Sequence, residues 1–322
     1  MAKKVVVSGY YGFKNFGDEL ILSILLHYLK ACDADITVFS VDTEYTELLG
    51  VKAAKTFDLF QIIKTLFEAD VLISGGGSLF QDATSIRSVL YYSIVLAMAQ
   101  ALGKKTIIFA QGIGPLKSPI SRFLVKNLFK NCDYISVRDE NSQNILANWG
   151  INSVLVCDPA FSLLNFKTEK EKVLGVQLRD FIGINDKFLT DLAQIVNNAS
   201  FEKIKLFSLQ KSQDFELIKR FENLLVNKKV EVVEEKIVAE ISKLDTLIAM
   251  RFHALVVGLK ANVKCCAINY DPKVQILAQK YSLPLIEFAD NIDVMQSKLS
   301  VAKNVQIVEN EFPWDEMLNF VR

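Results

Sequence analysis

Histidine is scarce in this chain, with two residues among 322. The five cysteines (Cys32, Cys132, Cys157, Cys265 and Cys266) form no C-x-x-C pair, and the adjacent pair lies in an apolar run. That combination argues against the usual zinc sets, so no metal site is expected. The thiols read as core residues in a reducing cytosol. Neither sign of charge is in excess, at 37 basic against 37 acidic residues, which removes the general electrostatic reason to expect nucleic acid or a membrane surface as main partner. The longest uncharged run, Ser88 to Gly103, is shorter than the ~20 apolar residues a membrane span needs and reads as a helix buried against a sheet. "MAKKVVVSGYYG" breaks at Gly9 before an apolar signal region forms, so no secretory signal is expected. There is no short repeat or low-complexity tract.

What is present is apolar material, 51% of the chain, in short runs alternating with helical patterns. "VVVSG", "DITVFS", "ADVLISGGG", "KKTIIFAQGIGP", "DYISVRD" and "NSVLVCDPAF" form one strand series. "EKVLGVQLRD", "KIKLFSLQ", "VEVVE", "LDTLIAM" and "NVKCCAINYD" form a second. Near-continuous apolar strands alternating with helices predict parallel sheets covered on both faces. The charged run Asn165–Lys172 separates the series. Two Rossmann-like domains are therefore expected, 1–165 and 166–322, with the final helix packing back on the first.

Ligands of such sheets bind beyond the carboxyl ends of the strands. In the first series those positions supply glycines, Asp18, Glu19, Ser78, Gln81 and Asp82; in the second they supply cations. Arg251 and His253 open a helix after "DTLIAM", where positive groups oppose the helix dipole unless an anion joins them. The alternative is an ion-paired Arg251 and a core histidine. Arg179 ends another strand, with a salt bridge to Asp180 as its alternative. Arg138, in "SVRDEN", also follows a strand, with Asp139 or Glu140 as competing partners. Lys273 follows "NYDP", where a surface lysine is the default. Asp18 competes with a helix-cap role, and Gly75–Gly77 reads as a tight strand-to-helix turn.

"GYYGFKNFGDE", "ISGGGSLFQD", "AQGIGP", "ISVRDENS", "VCDPAF", "MRFHAL" and "NYDPKV" occur in that order. Together they resemble the polysaccharide pyruvyl transferase family, including its CsaB-like members, over about Val5 to Tyr281. The resemblance implies a GT-B-like α/β fold, with two Rossmann-like domains and parallel sheets facing across a cleft. It implies transfer of the pyruvyl group of phosphoenolpyruvate onto two hydroxyls of a sugar in a cell-wall or exopolysaccharide precursor, forming a cyclic ketal and releasing phosphate. No cofactor is implied; phosphoenolpyruvate is the donor substrate. The motif match carries donor binding onto Arg138, His253 and Lys273, joined by Arg251 and Arg179 as anion binders. His253 is the catalytic acid/base candidate, because an imidazole titrates near neutral pH. The acceptor side then falls to the first domain, at Asp18, Glu19, Ser78, Gln81 and Asp82. The expected setting is the cytoplasm or the inner membrane face, with peripheral membrane contact through a lipid-linked acceptor and no nucleic acid partner.

The main alternative is a GT-B glycosyltransferase using a nucleotide-sugar donor, with Glu234 or Glu235 on the ribose. A sugar- or anion-binding protein without turnover is a second. A dinucleotide oxidoreductase fits worst, because both glycine stretches lack the G-x-G-x-x-G order and acids follow the first. Acceptor sugar and oligomeric state are left open.

Overall fold

The computed structural model describes residues 2–83, 86–163, 166, 168–305, 307 and 312–322. The chain divides into two compact units, residues 1–162 with 309–322, and residues 163–308. Part of the charged run Asn165–Lys172 (Asn165 and Lys167) lies outside the described residues, and its last two residues already belong to a strand.

The first unit alternates strand and helix from its start. Its elements are β1 (Lys4–Ser8), α1 (Phe16–Ala31), β2 (Asp35–Ser40), α2 (Thr43–Glu47), β3 (Lys52–Lys55), α3 (Leu59–Glu68) and β4 (Val71–Ser74). There follow β5 (Gly77–Phe80), α4 (Ile86–Ala101), β6 (Lys105–Ile113), α5 (Pro119–Phe129), β7 (Tyr134–Val137), α6 (Glu140–Asn148) and β8 (Val154–Leu155). The strands form one parallel sheet in the order β3-β2-β1-β4-β6-β7-β8, with β5 pairing the end of β6. Strands such as Val71–Ser74 and Tyr134–Val137 are buried throughout, which explains why their sequences are apolar apart from one serine each. Helices α3 to α6 cover one face, through a core containing Ile62, Leu66, Tyr92, Leu96, Val125 and Leu146.

The triple glycine differs from the expected strand-to-helix turn. Gly77 opens β5 instead, so the run is a passage between two strands. Strand β6 carries a register shift between Ile108 and Gln111, and Ala110 sits there at φ +45°, a conformation that disfavours a side chain.

The second unit contains β9 (Glu171–Gln177), α7 (Asp186–Asn198), β10 (Lys203–Phe207), α8 (Lys211–Glu222), β11 (Lys229–Val233), α9 (Ile237–Ser242) and β12 (Leu244–Ala249). It continues through α10 (Phe252–Lys260), β13 (Lys264–Ile268), α11 (Pro272–Lys280), β14 (Leu285–Ile286) and α12 (Ile292–Ser300). Its six parallel strands run β11-β10-β9-β12-β13-β14. Cys265 and Cys266 are buried on β13, and burial pushes both thiols up, Cys266 to about 12.

The last helix, α13 (Trp314–Leu318), belongs to the first unit. Trp314 stacks on Tyr28 at 3.8 Å between ring centres and donates its indole N–H to Ser162 Oγ at 3.1 Å. Among the described residues, no helix is long and apolar enough to cross a membrane.

Candidate functional site

In each unit the polar residues singled out from sequence gather at the carboxyl edge of the sheet. In the first unit the loop Gly9–Asn15 leads into α1, and its cap is Asn15, whose side chain accepts from Gly17 N at 3.3 Å. Asp18 is therefore a first-turn residue rather than the cap, placed where a carboxylate complements the helix dipole. Gly77 stands at φ +116°, and a Cβ there would lie 2.9 Å from Asp18 Oδ1. Glycine is thus what lets the Asp18 carboxylate reach the backbone between β4 and β5.

Glu19 faces inward. Its Oε1 accepts from Gly12 N at 2.8 Å, tying the loop to α1. Its Oε2 is buried and has no hydrogen-bond partner among the described residues. Burial pushes the Glu19 carboxyl up to about 7; the Gly12 amide opposes this and the Asp18 charge reinforces it. The hydroxyl of Tyr11, also buried without a hydrogen-bond partner among the described residues, is pushed up by burial first and then by Asp18 and Glu19.

Arg138 follows β7. Its Nη1 donates to Asp158 Oδ2 at 2.8 Å and its Nη2 to Ser78 Oγ at 2.9 Å. Neither Asp139 nor Glu140 is the partner that holds it here: Asp139 instead caps α6 by accepting from Ser142 N at 2.7 Å. Gly112 lies directly beneath, where a Cβ would stand 3.0 Å from Ser78 Oγ and 3.3 Å from Arg138 Nε. Gln81 accepts from Ala83 N at 2.9 Å. Both oxygens of Asp82 are engaged by backbone, accepting from Lys117 N at 2.6 Å and Ser118 N at 2.8 Å. Burial raises the Asp82 carboxyl, but these hydrogen bonds outweigh it and hold the group below its usual value. The structure thus brings Asp18, Glu19, Ser78 and Arg138 to one edge, with Asp82 shaping a neighbouring loop.

In the second unit β9, β12 and β13 are adjacent, so the residues after them share an edge. Arg251 is buried and its guanidinium is held by Asp214 of α8, at 2.6 Å from Nη2 to Oδ1 and 3.0 Å from Nε to Oδ2. Asp214 is fully buried and also accepts from Leu209 N and Gln210 N at 2.9 and 3.0 Å. Gln177 completes the network by accepting from Arg251 N at 2.8 Å. The ion-paired alternative for Arg251 is the arrangement present. His253 lies in the first turn of α10, half-buried, with its ring edge-on to Phe252. Lys273 lies in the first turn of α11, exposed, 3.8 Å from Asp271.

Arg179 is different. It makes no ion pair among the described residues, with Asp180 or any other carboxylate. Its Nε is buried without a hydrogen-bond partner among the described residues, and its guanidinium lies against Tyr270, 5.4 Å from the ring centroid and close enough to hydrogen-bond its hydroxyl. Glu234, one of the two acids a ribose-binding reading could use beside Glu235, pairs with Lys211 at 3.3 Å.

The sequence model of the polysaccharide pyruvyl transferase family matches residues 15–272. The chain belongs to that family. This pyruvyl transferase family member has the GT-B type of α/β fold, as its similarity to solved structures shows. UDP-GlcNAc 2-epimerase from Methanocaldococcus jannaschii superposes with a TM-score of 0.69 at 14% identity, over 99% of each chain. Anabaena HepE in complex with UDP-glucose gives 0.57 at 12% identity, covering 92% of this chain and 95% of that one. A glycosyltransferase from Rickettsia africae gives 0.56 at 12%, covering 93% and 88%. At these identities the likeness is one of fold alone. No curated protein sequence matches.

Asp158, Asp214 and Gln177 were not singled out from sequence, while Gln111 and Tyr270 stood among the residues that follow strands without a role of their own. Gln111 is buried at the end of β6, donating to Gly75 O and accepting from Leu79 N at 3.2 Å. Its signal, shared with Gln177, was a glutamine at the end of an apolar strand. Asp158 lies in "VCDPAF", where nothing in the local sequence points to Arg138 as its partner.

Proposed function

We propose that this family member transfers the pyruvyl group of phosphoenolpyruvate to a sugar diol as a cyclic ketal. The observation that carries the reading is Arg179, a half-buried arginine with no carboxylate partner among the described residues. It shares an edge with His253, Lys273 and the N-termini of α10 and α11. An unneutralised guanidinium beside two helix N-termini favours a small, strongly anionic ligand. Phosphoenolpyruvate offers a carboxylate and a phosphate within a few ångströms of each other, and arginine binds either group bidentately.

On this reading Arg179 and Lys273 bind the donor, and the Asp214–Arg251 pair fixes the strand end from which α10 starts. Arg138 is anchored within the first unit by Asp158 and Ser78, and the family motif implies an anion-binding role for it. His253 delivers a proton to the enol methylene carbon, turning it into a methyl group and leaving an oxocarbenium centre. One sugar hydroxyl adds to that centre and gives up its proton, which restores the one His253 delivered. The second hydroxyl displaces phosphate, which leaves with the C–O bond electrons and takes up that hydroxyl's proton, and the ketal ring closes. The acceptor lies at the first unit's edge, where Asp18 accepts hydrogen bonds from its hydroxyls, while the inward-facing Glu19 braces the Gly9–Asn15 loop through Gly12. The setting is cytoplasmic, and a lipid-linked acceptor brings the protein to the membrane.

Thermal melting with added ligand tests the donor. Phosphoenolpyruvate raises the melting temperature of the wild type and not of Arg179→Ala. Stabilisation by UDP- or GDP-sugars with none by phosphoenolpyruvate overturns the reading in favour of a glycosyltransferase.

A further inference from the structure

The outer side of α3, α4 and α5 is unusual for a protein surface. Helix α4 packs between the other two. Their inward residues, among them Ile62, Leu66, Val95 and Val125, fill the core. Their outward residues are also apolar: Phe60 is 77% exposed, Phe123 69% and Phe67 69%, beside Ile63, Ile94 and Ile120. Phe57, just before α3, is 72% exposed and lies against Tyr91 of α4. Scattered exposed apolar residues are ordinary, but large aromatics gathered on one helical layer mark a contact surface.

The charge of this layer identifies the partner. The whole chain is neutral, yet α4 and α5 contain no acidic residue and carry Arg87, Arg122 and Lys126. Helix α3 contributes Lys64, and its one acid, Glu68, lies 3.8 Å from Lys4. Lys104, after α4, reaches Phe67, donating to its carbonyl at 2.7 Å. Exposed phenylalanines interspersed with lysine and arginine are the chemistry of a surface lying in the interface of an anionic bilayer. A second copy packed on the same face would set its basic residues against themselves.

We propose that the outer face of α3, α4 and α5 docks on an anionic lipid bilayer, with its phenylalanines in the headgroup layer and its basic residues on the lipid phosphates. Phe57, Phe60, Ile120 and Phe123 sit at the starts of their helices, on the sheet edge that also presents the Gly9–Asn15 loop, Ser78 and Arg138. Docking therefore holds that edge near the bilayer. The docking rests on this surface alone; only its use, receiving a lipid-linked acceptor, rests on the proposed activity.

Vesicle flotation of the full chain tests it, using phosphatidylcholine alone and phosphatidylcholine mixed with phosphatidylglycerol. The wild type floats with the mixed vesicles only, and less as salt is raised. Phe60→Ser with Phe123→Ser, or Arg122→Gln with Lys126→Gln, lowers the bound fraction roughly tenfold, while melting temperatures stay unchanged because the positions are on the surface. The proposal is overturned if the wild type fails to float with mixed vesicles, or if the phenylalanine variant floats like the wild type. It is also overturned if sedimentation shows a dimer that the phenylalanine variant splits. Phosphate release with a water-soluble glycan reads the activity separately, and its absence leaves the docking result standing.

Discussion

Replacing Glu19 by Gln isolates one buried carboxyl and its effect on stability. In the fold this group titrates near 7 against an ordinary 4.5, because burial disfavours its charge; the Gly12 amide offsets part of that, and the Asp18 charge adds a smaller repulsion. Between those values the folded chain keeps a proton that the unfolded chain has lost. Stability therefore falls as pH rises through that window. At 1.36 kcal/mol per pH unit the full effect is about 3 kcal/mol. Glutamine keeps an oxygen for the Gly12 amide and carries no charge. Below pH 4.5 the variant and the wild type should match in stability; above pH 7 the variant should be the more stable by up to about 3 kcal/mol. Urea denaturation followed by tryptophan fluorescence reads this directly, because Trp149 and Trp314 both lie in the unit that holds Glu19. A wild-type-to-variant difference that does not change with pH would show that the folded Glu19 is not held protonated, and the reasoning from burial would be wrong.

Other substitutions separate binding from structure. Arg179→Ala should raise KM for phosphoenolpyruvate roughly 10- to 100-fold with little change in stability, since the side chain has no carboxylate to abandon; an unchanged KM removes it from the donor site. Asp214→Ala leaves Arg251 buried and unpaired, so a loss of about 3–5 kcal/mol of stability is expected by chemical denaturation, and a loss under 1 kcal/mol would contradict the buried network. His253→Ala should lower kcat by roughly 10²–10⁴, and full activity would end its acid/base assignment. Asp18→Asn should disturb acceptor use more than phosphoenolpyruvate binding, measured as separate KM values; the reverse would put the donor on the first unit.

The alternation of apolar strands and helical patterns was legible because buried parallel strands leave no room for polar residues. Strand β3 was not read, since "KAAK" offers only two apolar residues and lies at the sheet edge. Strand β5 hid behind the triple glycine, whose sequence looks like a turn. At the candidate site, sequence showed which residues follow each strand but not which carboxylate the fold brings to them. Asp214 is 37 residues from Arg251, and Asp158 is 20 from Arg138. Those distant pairings distinguish Arg251 from Arg179, two arginines that look alike in sequence. The aromatic surface on α3 and α5 was hidden for a related reason. Phe60 and Phe123 count as core material until the fold shows which helix face is covered.

The central claim is that phosphoenolpyruvate and a glycan meet on this protein and react. Phosphate release from phosphoenolpyruvate, followed with and without added N-acetylhexosamine glycans and paired with mass spectrometry of the glycan, tests it most directly. The account predicts phosphate release that depends on the glycan, with one carboxyethylidene group gained per phosphate released. Glycan-independent release, or release with no gain of mass on any glycan, would contradict it.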